Sequence, residues 1–139
     1  MVGDYTKPLP SPDVDSQAFW DGCKAHVLRA QRCSGCDRFR WPPQAFCPEC
    51  YSWDFEWVEL PGKGSIYTFV APHYVSVPAF QEDSPYVVAH ISLDGTDDRV
   101  RLMSNVIGCP WDQVKVGMRV RVDWDDVTPE MTLPKFRPM

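Results

Sequence analysis

A chain of 139 residues with 44% hydrophobic and 24% charged residues has the length and composition of one modest globular domain. Its formal net charge of -5 gives no general attraction to a phosphate backbone and sets nucleic acid aside as the expected partner. Prolines and charges interrupt every apolar run short of the roughly twenty residues that cross a bilayer, and the first residues lack the cationic start and apolar stretch of a secretory signal, so a cytoplasmic location with no membrane partner is expected.

Residues 1–14 carry Pro8, Pro10 and Pro12 in a polar setting and predict a flexible arm. Over 15–32, Phe19, Cys23, Val27 and Ala30 recur at helical spacing beside Trp20 and Leu28, which predicts an amphipathic helix capped by Asp15 or Ser16. Gly22 costs such a helix about 1 kcal/mol relative to Ala, which favours support from outside packing. The aromatic face either packs on its own domain or offers Phe19 and Trp20 to a partner.

Residues 33–56 are read as a zinc ribbon. Within CSGCDRFRWPPQAFCPEC, two Cys-x-x-Cys turns each bring two thiolates to one side, and together they complete the sulfur tetrahedron that zinc prefers. Cys33, Cys36, Cys47 and Cys50 are the expected ligands. With all four positions taken by sulfur, no coordination site is left for water or substrate, so the zinc is expected to be structural. A thioredoxin-like motif has one reactive pair rather than two pairs in a short Pro-rich hairpin. Cys23 and Cys109 stand outside the turns and read as packed free thiols.

Residues 57–139 carry period-two runs. WVEL, SIYTFVA, YVVAHISL, VRLMSNV and VGMRVRVDW read as five short strands of a small barrel, with Gly62 and Gly64 at the bend that opens the first long strand. An open Greek-key barrel of the OB type fits this count, although periodicity leaves strand order open. The connection APHYVSVPAFQEDSP is long for a barrel loop, and Tyr74, Val75 and Phe80 in it either fold back on the barrel or form an apolar wall for a binding partner. Arg99, Arg101, Arg119 and Arg121 are candidates for the phosphates of an anionic ligand, against the alternative of exposed solubilising rows. His26, His73 and His90 are isolated, and no nucleophile has an acid/base partner in the pattern, so no catalytic residue is assigned.

The FW-bearing helix, CSGCDRFRWPPQAFCPEC, WVELPGKGSIYTF, SPYVVAHISL, RLMSNVIGC, VGMRVRV and LPKFRP together resemble the DUF35 family, from about Gln17 to Pro138. That resemblance implies a mainly β fold: an N-terminal helix, a rubredoxin-like zinc ribbon and a C-terminal five-stranded OB-fold barrel. It also implies an accessory role beside a thiolase-fold enzyme in a hetero-oligomer that handles acyl-CoA. The narrower likeness is to the DUF35 partner of a lipid-transfer-protein-type thiolase acting as a retro-aldolase in bacterial steroid side-chain degradation. Two other classes stay open: a free-standing acyl-CoA or nucleic-acid-binding OB module, and a catalyst using Cys23 or Cys109.

Overall fold

The computed structural model describes residues 5–139, so the first four residues of the predicted arm lie outside the described residues. Helix α1 spans Gln17–Lys24, eight residues instead of the eighteen expected over 15–32. Ser16, one of the two expected caps, stands at its N-cap but its side chain caps no helix amide; it bonds back instead, with Ser16 Oγ accepting from the Asp13 amide at 3.1 Å while Asp13 Oδ1 accepts from the Ser16 amide at 2.8 Å. Its exit is forced by His26, whose φ of 62° lies in the left-handed region and reverses the chain. Gly22 is not a weak point awaiting a partner: a Cβ there would stand 2.7 Å from the Val27 carbonyl oxygen, so only glycine admits the returning chain.

Beyond that reversal, Leu28 and Ala30, which share a helical face in the sequence, enter a strand. Strand β1 spans Arg29–Cys33 and sits between β2, Phe39–Arg40, and β3, Phe55–Glu59, in an antiparallel sheet of order β2-β1-β3. Residues 57–59 of the WVEL run are therefore part of the ribbon sheet, with Trp57 opposite Gln31 and Val58 opposite Ala30.

The closed barrel has the order β4-β5-β6-β8-β7, from Lys63–Val70, Val87–Leu93, Arg101–Val106, Thr132–Pro138 and Arg119–Asp126. Its fifth strand is TLPKFRP and not WVEL, which the periodicity places among the five barrel strands. Pro134 and Pro138 are tolerated because they alternate with the residues that donate to β7: Arg137, Lys135 and Leu133 face Arg121, Asp123 and Asp125. Gly64 opens β4 as expected, and a Cβ there would meet the Ser92 carbonyl oxygen at 2.4 Å and Ile91 Cγ2 at 2.8 Å, so two strands cross where a side chain cannot fit. The turn at Gly62 uses a φ of 79°.

One core joins the parts. Phe19, Cys23, Leu28 and Phe39 from the helix and ribbon base pack in the same cluster as Ile66, Ile91, Val120 and Phe136 from the barrel. The long loop between β4 and β5 contains a short helix, α2, over Pro78–Gln81. The arm from Tyr5 onward meets this loop, where Lys7 Nζ pairs with Asp83 at 2.6 Å. Among the described residues, no helix is long and apolar enough to cross a membrane.

Candidate metal centre and partner surfaces

The two Cys-x-x-Cys turns face each other across the ribbon tip. All four sulfur atoms lie within 4.8 Å of one another, with Cys33 to Cys50 at 3.5 Å and Cys36 to Cys47 at 3.8 Å. Four sulfurs about 2.3 Å from a central zinc stand about 3.8 Å apart, so the cluster already has the dimensions of that tetrahedron. The turns also aim backbone donors at the sulfurs: Gly35 N–H to Cys33 Sγ at 3.3 Å, and Glu49 and Cys50 N–H to Cys47 Sγ at 3.4 and 3.5 Å. The Cys50 and Glu49 amides hold the Cys47 thiol down at about 6, which favours the thiolate that a metal needs. The donor set therefore fits zinc.

The other two cysteines differ from these. Cys23 is fully buried, and desolvation pushes its thiol up to about 12, so it stays protonated and inert. Cys109 is half-buried, with its thiol directed at the Pro110 carbonyl at 3.5 Å. Neither is bonded to a histidine: His26 meets Asp126 at 3.0 Å and His73 meets the Ala71 carbonyl at 2.8 Å. The described hydrogen bonds thus assemble no nucleophile and base.

The aromatic candidates separate. Phe19 is 2% exposed and packs edge-on against Trp41 and Trp20, so in the folded chain it belongs to the core and is withdrawn from any docking surface. Trp20 remains half-buried and lines a cleft of ≈ 430 Å³ with Trp41, Pro43, Met103 and Pro134. Tyr74, 88% exposed, projects from the long loop, whereas Phe80 is half-buried on α2 beside Tyr86. The ribbon tip holds exposed aromatics that the sequence reading did not single out: Trp53 against Phe46, ring centroids 5.3 Å apart, and Tyr51. Adjacent cysteines drew attention to the metal, and exposure of a neighbouring ring is not visible from spacing.

The arginines are mostly engaged. Arg99 reaches across from the barrel to Glu49 of the ribbon at 3.0 Å, where Arg38 also binds the same carboxylate at 2.8 Å. Arg119 makes a two-pronged pair with Asp94, and Arg101 lies 4.1 Å from the centre of the Tyr67 ring with Asp98 at 3.4 Å. Arg121 is exposed and enters none of the described ion pairs. The four do not converge on one anion pocket.

A helix-fed four-cysteine ribbon joined through one core to a five-stranded barrel defines a two-part scaffold with a closed sulfur centre. Residues 20–56 match the family described as ChsH2, rubredoxin-like zinc ribbon domain, and residues 57–125 match ChsH2, C-terminal OB-fold domain. A chain of a solved structure described as Ltp2-ChsH2(DUF35) aldolase is 38% identical, with a TM-score of 0.83 over 94% of this chain and 98% of that one. The chain belongs to the DUF35 family. Among curated relatives, a probable enoyl-CoA hydratase alpha subunit of Thermomonospora curvata is 39% identical over 95% of this chain and 40% of its own length. The 3-oxo-4,17-pregnadiene-20-carboxyl-CoA hydratase alpha subunit of Mycobacterium tuberculosis is 33% identical over 93% of this chain and 39% of its own. The benzoylsuccinyl-CoA thiolase subunit BbsA of Thauera aromatica is 27% identical over 75% and 72%. The chain thus spans about 40% of the length of the two hydratase subunits.

Proposed function

We propose that this chain is a non-catalytic accessory subunit of a thiolase-fold enzyme that acts on acyl-CoA, with a retro-aldolase of steroid side-chain degradation as the specific case. The likeness to a chain of the Ltp2-ChsH2(DUF35) aldolase along nearly the whole of both chains carries the reading. The relatives named for a pregnadiene-carboxyl-CoA hydratase and a CoA thiolase support the substrate class and the subunit role. The site chemistry agrees, because the sulfur shell leaves no open metal position and the stray thiols have no base.

Zinc held by Cys33, Cys36, Cys47 and Cys50 supplies a cross-link and no reaction step. It pins the ribbon tip, and the Arg38–Glu49–Arg99 bridge then ties that tip to the barrel. Trp20 and Tyr74 supply apolar contact area for the enzyme. Of the four candidate arginines, Arg121 is the one that can meet a CoA phosphate without breaking an ion pair among those described. The partner contributes the base and the enolate stabilisation that carbon–carbon cleavage requires. The working compartment is the cytosol, where the cysteines remain reduced for metal.

Co-expression with a thiolase-fold protein tests this. The pair should co-elute at micromolar concentration and cleave a steroid side-chain β-hydroxyacyl-CoA, while neither chain alone does so efficiently. Trp20→Ala should weaken assembly and leave zinc content unchanged. Separate elution, with enzyme turnover indifferent to this chain, would overturn the proposal.

A further inference from the structure

One buried charge in the ribbon has no carboxylate beside it. Arg40, on β2, is 7% exposed. Its Nε donates to Gln31 Oε1 at 2.8 Å, its Nη2 donates to the Gln44 carbonyl at 3.0 Å, and its guanidinium lies 4.9 Å from the centre of the Phe55 ring. All three partners are neutral. Among the described residues Arg40 enters no ion pair, and its Nη1 has no acceptor. Gln31 is 1% exposed, and its oxygen also accepts from the Gln44 amide at 3.0 Å, while its own Nε2 is left without an acceptor. A guanidinium does not shed its proton near neutrality, and burying one without an anion is costly. The cluster therefore holds a full positive charge and two spare donors.

The strand register brings this cluster to the sulfur centre. Arg40 stands opposite Gln31, Cys33 stands opposite Phe55, and Gln31 is two residues before Cys33, so all four share one face of the ribbon sheet. Stacking on Phe55 carries the guanidinium along that face to the register position of Cys33. Arg40 also borders a cleft of ≈ 210 Å³ together with Cys47, Arg38, Glu49 and Arg99. Four thiolates around one Zn2+ leave two net negative charges, and Cys33 and Cys47 are buried, so water screens them poorly. Arg38 and Arg99 share the Glu49 carboxylate and so leave one net positive charge. Arg40 supplies the second, and the centre with its surroundings is neutral.

We infer that Arg40 is the buried countercharge of the zinc–thiolate centre, a positioning residue that does not ligate the metal but raises the affinity of the four sulfurs for zinc through its charge. The amide at position 31 fits this role. A glutamate there would pair with Arg40 locally and would add negative charge beside Cys33, whereas the neutral Gln31 leaves the field of the guanidinium to the sulfurs. Arg38 and Arg99 are exposed and engaged with Glu49, so solvent weakens their share and the effect falls chiefly on Arg40.

The test uses the intact chain. Zinc affinity is measured by competition with a chromophoric chelator, and the sulfur-to-metal charge-transfer band is read after Co2+ replaces zinc. Arg40→Met removes the charge and should weaken zinc binding about ten-fold, the scale of one unit charge roughly 10 Å from another at an effective permittivity of about 20. Its Co2+ band should move to longer wavelength, because a sulfur lone pair with no cation nearby gives up charge more readily. Arg40→Lys keeps the charge but loses the fork of hydrogen bonds, and should stay within about three-fold of the parent with the band unmoved. Gln31→Glu is nearly isosteric, and should weaken zinc about ten-fold and move the band as Arg40→Met does. If Arg40→Met does not fold, Gln31→Glu and Arg40→Lys against the parent decide. The proposal is overturned if Arg40→Lys loses ten-fold or more in zinc affinity, which marks a role in hydrogen bonding alone. It is overturned equally if Gln31→Glu leaves both the affinity and the band where they were.

Discussion

The ribbon tip and the barrel are held by different physics. At the tip, Cys33 and Cys47 are buried but their neighbours Gly35, Pro48, Cys50 and Tyr51 are exposed, so little apolar area leaves water there and four sulfurs carry the fold. In the barrel, Ile66, Ile91, Val120 and Phe136 are each at most 1% exposed, and strand pairing with close packing does the same work. A short segment can be fixed by a few strong local bonds, whereas a barrel needs many weak ones made between distant residues.

Removing the metal shell should separate the two most sharply. Cys36→Ser is expected to abolish tight zinc binding, with a loss on the order of 10 kcal/mol of ribbon-forming free energy. Hydrogen exchange should then quicken at Gly35, Glu49 and Cys50 while Ile91 and Val120 stay protected. Cys109→Ser should leave zinc occupancy as it was, and equal loss in both variants would refute the ligand set.

Phe136→Ala strikes the other region, at a fully buried ring on β8. It should cost about 3–5 kcal/mol, measured by urea unfolding, with zinc content retained in the protein that remains folded. Gly64→Ala should follow at about 1–3 kcal/mol, since the new methyl collides with the Ser92 carbonyl and β4 and β5 must separate to admit it. Arg99→Ala removes one arm of the bridge to Glu49 and should cost under about 1 kcal/mol, because both partners are well exposed. Faster exchange at the ribbon tip, with the barrel unchanged, would be its signature.

The smallest effect is a pH dependence in the barrel. The Arg119 guanidinium beside Asp94 holds that carboxyl below its ordinary 3.8. A depressed folded value means the pair stabilises the barrel above the unfolded value and ceases to do so as pH falls through the folded one. Asp94→Asn should therefore lower the melting temperature slightly near neutrality, and the difference should shrink as pH falls below the unfolded value of 3.8 and vanish only below the depressed folded one. A gap that persists at low pH would mean that Asp94 acts through its hydrogen bonds rather than its charge.

Local spacing was enough wherever the cause was local. The cysteine turns placed the sulfur cluster, the alternation in VRLMSNV and VGMRVRVDW marked two barrel strands, and Gly64 marked the crossing. Helical spacing misled at Leu28 and Ala30, because a single left-handed residue, His26, turned the chain into a strand that pairs with residues far along the sequence. WVEL has the period of a strand but not the name of its sheet, and TLPKFRP hides a strand behind prolines that are harmless only in the register it adopts. Phe19 and Trp20 are neighbours of similar chemistry, and only packing against Trp41 and the core buried the first and left the second at a cleft. The sequence by itself determined the four-cysteine cluster, the strand-rich composition and the family, since these rest on residue type and short spacing. Tertiary structure alone decided sheet membership, which strand closes the barrel and which arginines are already paired, since each depends on which distant groups satisfy one another's hydrogen bonds and charges.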